Sequence, residues 1–138
     1  MLDGTEFAAV VSLVVPCGQR NLQTHRNRLE RPFEDVSDPL EPGAPTREDI
    51  RAIIEFLRPH AGQKVLVHCE YGQSRSTAVA LGAACMYGWN PVVAARHLSK
   101  RVVPAGAFYP NLLVLEHFDA ELGVGGELVR VGSTWTLG

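Results

Sequence analysis

Residues 65–87 read VLVHCEYGQSRSTAVALGAACMY, and this stretch decides the fold. Val65-Leu66-Val67 is a short apolar run, the pattern of a strand buried on both faces of a parallel sheet. Ser76 to Tyr87 is apolar nearly all round, which predicts a central, buried helix, and Gly88 fits the position just past its end. Between strand and helix lies a turn holding Cys69, Gly72 and Arg75. A turn of this kind points backbone N–H groups inward and sets a helix N-terminus beside them, which is how proteins trap anions.

Working outward, Ala8 to Val15 (AAVVSLVV) reads as a second buried strand, ended by Pro16-Cys17-Gly18. Gln19 to Arg31 is polar and basic without a clear period, an irregular or weakly helical connection, with a short strand expected over Leu29 to Phe33. Residues 34–45 (EDVSDPLEPGAP) are acidic and proline-containing, hence a loop. Thr46 with Asp49 three residues on forms a variant capping box, and Ile50, Ile53, Ile54 and Leu57 make one apolar helical stripe, stopped by Pro59 and Gly62. Asn90-Pro91 opens a further helix to about Lys100; Asn111 caps another, with Leu112, Leu115 and Phe118 inward and Gly123 at its end. The succession predicts an α/β fold: a central, mostly parallel sheet flanked by helices. One domain is expected over 1–138, with its core at about 8–122 and a Gly-rich tail at 124–138 to which the sequence assigns no role.

Composition narrows the functions. The 138 residues are 46% hydrophobic and 20% charged, which excludes a disordered chain. Thirteen Lys+Arg against fifteen Asp+Glu leave a net charge of −2, so no basic field is available and neither nucleic acid nor membrane is expected as a partner. Three cysteines, Cys17, Cys69 and Cys85, are too few for a disulfide framework or a zinc site. Reduced thiols point to the cytoplasm, and the start, with Asp3 and Glu6, lacks the order of a signal peptide.

The chemistry of residues 68–76 is that of a thiolate beside an anion cradle. In such a turn Arg75 can grip two phosphoryl oxygens with its planar fork, and the same donors would favour the thiolate of Cys69. Gly72 permits the tight turn, and Ser74 and Ser76 add hydroxyls, that of Ser76 within reach of the sulfur.

HCEYGQSRS resembles the HCxxGxxR(S/T) signature of the cysteine-dependent protein tyrosine phosphatases, in the HCxxGxSRS form of the dual-specificity branch. Phe33-Glu34-Asp35 before the acidic loop and Tyr109-Pro110-Asn111 before the last helix resemble the general-acid loop and the "PN" segment of the same family. The resemblance implies a phosphatase of dual-specificity type. Cys69 would take the phosphoryl group, and Glu70, Tyr71, Gly72, Gln73, Ser74 and Arg75 would bind it. Ser76 would assist breakdown of the intermediate, and His68 would orient the loop. An upstream aspartate would protonate the leaving oxygen. Asp35 fits the aromatic-x-Asp pattern and Asp38 the usual separation from the cysteine, so both stand as candidates. No metal and no cofactor is implied. The substrate would be a phosphorylated protein (phosphotyrosine, phosphoserine or phosphothreonine) or a small phosphomonoester. The alternatives are the same chemistry on a nucleic-acid end, glucan or lipid, a weakly catalytic phospho-binding module, or a rhodanese-like sulfurtransferase. Glu70 stands where lipid-directed members carry Lys and disfavours polyanionic head groups.

The family adds at least one strand before the first one here, so a reduced sheet edge is expected. Cys17 is either a resolving thiol for Cys69, as in some relatives, or a small loop residue. His25, His60, His97 and His117 lack ligand spacing; Cys85 reads as a core residue, Trp89 as corner packing, and Arg26, Arg28 and Arg31 as a solvated face. The oligomeric state is open.

Overall fold

The computed structural model describes residues 7–13, 27–69, 74–101 and 108–136. Among these residues three parallel strands form a sheet in the order β2-β1-β3, with β1 at Ala9–Ser12, β2 at Arg28–Glu30 and β3 at Val65–His68. The middle strand β1 is fully buried, as its run of apolar residues requires, whereas β3 lies at an edge and is half-buried along its length. Five α-helices accompany the sheet among the described residues: α1 (Arg47–Leu57), α2 (Arg75–Met86), α3 (Pro91–Ser99), α4 (Leu112–Leu122) and α5 (Glu127–Thr136).

Local signals set most boundaries. Thr46 and Asp49 close the capping box in both directions, and Ile50, Ile53, Ile54 and Leu57 face the core. Asn90 accepts from Val92 and Val93 at the start of α3, with Pro91 in the first turn. Gly123 ends α4 in the left-handed conformation at φ 66°. Helix α2 is central, touching α1, α3, α4, α5 and β3, and Ala78, Val79 and Leu81 are buried along it.

Two expectations change. The strand expected over Leu29 to Phe33 lies at Arg28–Glu30, and Phe33 instead turns its ring into the core. The stretch from Val124, expected as a tail, carries α5. Its start is held by a residue of the preceding helix: both carboxylate oxygens of Asp119 accept from Leu128 and Val129, at 2.8 and 3.0 Å. Trp135 then meets fully buried Phe108 edge-on, with ring centroids 5.4 Å apart. Close approach of α4 needs two glycines. A methyl at Gly82 would run into the ring of Phe118, and one at Gly132 into Leu115.

Candidate active site

Parallel strands deliver their C-terminal ends to one edge of the sheet, and the candidate residues gather there. Cys69 follows β3 directly and is half-buried. It shares a cavity of about 240 Å³ with Ser76, Thr77, Ala80, Arg101 and Phe108. Cys69 and Ser76 are therefore brought together. Glu70, Tyr71, Gly72 and Gln73 lie outside the described residues, as do Cys17, His25 and Arg26.

Arg75, the first residue of α2, is 5% exposed. Its Nη1 donates to the carbonyl of Leu13 at 3.0 Å and to that of Phe33 at 2.9 Å, so it clips the segments that leave β1 and β2. Two neutral carbonyls do not cancel a buried positive charge. Its Nε is buried and has no partner among the described residues. A desolvated guanidinium with a donor unspent is poised for an anion.

The start of α2 is prepared in the same sense. Ser74 occupies the cap position, yet its hydroxyl makes no cap hydrogen bond. It donates to Asp35 Oδ1 at 2.8 Å instead. The first N–H groups of α2 thus receive no side-chain cap from Ser74, which is the arrangement that suits an incoming anion.

The two acidic candidates differ. Asp35 also accepts from Asn111 Nδ2 at 2.9 Å, while the backbone N–H of Asn111 donates to the carbonyl of Ser74 at 3.0 Å. Asp35, Ser74 and Asn111 therefore form one cluster joining the acidic loop, the start of α2 and the start of α4. Asp38 instead accepts from the N–H of Leu40 at 2.9 Å, a local turn bond. Sequence reading had Asn111 as a helix cap, and it is one, through Val114. The second use of its amide had no local signal, because Asp35 is distant in the chain.

His68 belongs to a network that spans the sheet. Its Nε2 lies 2.7 Å from Ser12 Oγ, and Arg28 Nε donates to the same oxygen at 3.1 Å. Burial first, then the charge of Arg28, holds the His68 pKa below its ordinary value of 6.5. Arg28 pairs with Glu30, and Arg31 with Asp49 of the capping box, so neither belongs to an open solvated face. Cys85 is half-buried, and burial followed by Asp119 and Glu127 pushes its thiol pKa up, which makes it a poor nucleophile. Trp89 is 48% exposed and stacks obliquely beside His97. Among the described residues no group of three His, Cys, Asp or Glu side chains is placed to hold a metal ion, and no helix is long and apolar enough to cross a membrane.

The parallel sheet with its helices, Cys69 directly after β3 and Arg75 opening α2, is a protein tyrosine phosphatase-like fold. Among solved structures, the crystal structure of Tk-PTP in the active form is similar over 85% of this chain and 79% of its own, with a TM-score of 0.60 at 24% sequence identity. No family model matches the chain, and no curated protein matches it. The likeness carries the fold; the chemistry rests on the residues.

Proposed function

We propose that this chain is a cysteine-dependent phosphatase of dual-specificity type that hydrolyses phosphate monoesters, with phosphotyrosine, phosphoserine or phosphothreonine in proteins as substrate. One observation carries the reading: Arg75 is buried with its Nε unspent, at the start of a helix whose cap residue is turned to Asp35. The Cys69 thiolate attacks phosphorus and the P–O bond to the leaving group breaks, giving a cysteinyl-phosphate. Asp35 gives its proton to the leaving oxygen. Its carboxylate then takes a proton from water, which attacks phosphorus and releases inorganic phosphate and the thiolate. Ser76, in the same cavity as the sulfur, assists this second step. Arg75 and the amides of 70–75, that of Ser74 among them, hold the phosphoryl oxygens and stabilise the transition state. The pairing of Asp35 with Ser74 and Asn111 favours it over Asp38 as the acid. A protein substrate suits the exposed Leu40 and half-exposed Tyr109, apolar side chains on the two segments that meet at Asp35. The reaction needs a reduced Cys69, which a cytoplasmic setting supplies.

The test is phosphate release from aryl and alkyl phosphates by the wild type and by Cys69→Ser, Asp35→Asn and Asp38→Asn. Cys69→Ser should lose essentially all turnover. Asp35→Asn should lose roughly 10²-fold or more on the alkyl ester and less on the activated aryl ester, because only a poor leaving group needs the proton. Full activity of Cys69→Ser sinks the mechanism, and a leaving-group effect at Asp38 alone moves the acid there.

A further inference from the structure

Ser12 is completely buried in the middle strand, so its hydroxyl must find its partners inside the protein. Among the described residues it has two, Arg28 and His68. A guanidinium only donates, so the Ser12 oxygen accepts from Arg28 Nε. The single hydroxyl proton is then left for His68 Nε2, 2.7 Å away. The reverse arrangement, with Nε2–H donating to Ser12, would leave that buried proton without an acceptor between these partners. We propose that Arg28 is a positioning residue for Cys69, because through Ser12 it fixes its neighbour His68 as the neutral imidazole with the proton on Nδ1.

The surroundings agree. From β2, the fixed charge of Arg28 opposes an imidazolium, with Glu30 partnering Arg28 at 2.5 Å. From the end of α3, Arg101 lines the same cavity as His68 and is a second cation there. Ser76 and Thr77 of α2 face that cavity without charge, and Cys69 is the next residue in the chain. No proton moves along the network during a reaction cycle. Its output is orientation, an Nδ1–H donor presented on the residue directly before Cys69. The inference rests on the phosphatase reading for its effect on turnover, but the tautomer stands independently of any substrate.

Imidazole ¹⁵N spectra of the full chain across about pH 5–8 should show His68 protonated at Nδ1 and bare at Nε2, with Arg28→Met losing that signature. In the variant His68 should titrate higher than in the wild type but still below its ordinary value, because burial, the larger cause, remains; kcat/KM should therefore fall at a higher pH on the acid side than it does in the wild type. Arg28→Lys, which keeps the charge and a donor, should restore part of the signature. Ser12→Ala repeats the test if Arg28→Met fails to fold. A wild type protonated at Nε2, or an Arg28→Met protein that keeps the wild-type tautomer and titration while only its melting temperature falls, overturns the proposal. A wild type with the expected tautomer but no phosphate release defeats the phosphatase reading and leaves the role of Arg28 in orienting His68 intact.

Discussion

At its start α4 is fixed by polar groups, with Asn111 capping the helix while its amide reaches Asp35 and the carbonyl of Val36. Along its middle the same helix is fixed by shape, Phe118 against the bare backbone of Gly82 and Leu115 against that of Gly132. The two fastenings differ in what they supply. Hydrogen bonds replaced by water in the unfolded chain add about 1 kcal/mol each, but they set angles and distances closely. Close packing has no such substitute in water and carries most of the stability. Stability and site geometry are therefore separable along one helix.

Gly82→Ala should give the largest stability loss, about 3 kcal/mol, because the methyl forces aside a fully buried ring. Thermal melts read the loss, and phosphate release per folded molecule should stay close to wild type. Asn111→Ala should cost less in the melt, about 1 kcal/mol for the cap. It should nonetheless lower kcat on alkyl phosphates, on the order of tenfold, since Asp35 loses one of the donors that hold it. Equal stability losses at the two positions, or a rate loss confined to Gly82→Ala, would break the comparison. Smallest of all is Glu121→Gln at the outer face of α4. Hydrogen bonds from Arg51 and Arg47 hold the Glu121 pKa down to about 2, from 4.5. Stability from this pairing is present above 4.5 and lost as pH falls toward 2. The variant should melt slightly below wild type at neutral pH in low salt and match it at about pH 2. Added salt should also shrink the gap, because both arginines are exposed.

What could be read in the sequence follows the same division. The boundaries of α1, α3 and α4 were legible because each is set within a few residues, by Thr46 with Asp49, by Asn90-Pro91, and by Asn111 with Gly123. Strand β3 and helix α2 were legible because each is a short consecutive apolar run, Val65 to Val67 and Ser76 to Tyr87. Helix α5 was not. Its first N–H groups are capped by Asp119 of another helix, and Gly132 lowers its local propensity in exchange for an approach to Leu115. Arg28 read as a solvated residue for a similar reason: its partner Ser12 sits on a neighbouring strand, and parallel pairing leaves no mark of register in a run as uniform as AAVVSLVV. The hydrogen bonds of Asp35 to Ser74 and Asn111 likewise join residues that spacing alone does not connect.

The position of β3 at the sheet edge has a consequence for how the site comes apart. Lys64 and His68 turn their carbonyls toward β1, so by alternation Val65 and Val67 direct their backbone groups the other way, beyond the last strand of the sheet. Among the described residues, the segment that leads into Cys69 is laced to the sheet along one side, whereas β1 is laced along both. Excursions that peel β3 from β1 give up its contacts with α2 but leave those between α4 and α5 in place. They cost less than unfolding the whole chain. Opening of the site along this edge is a smaller step than melting of the helices behind it.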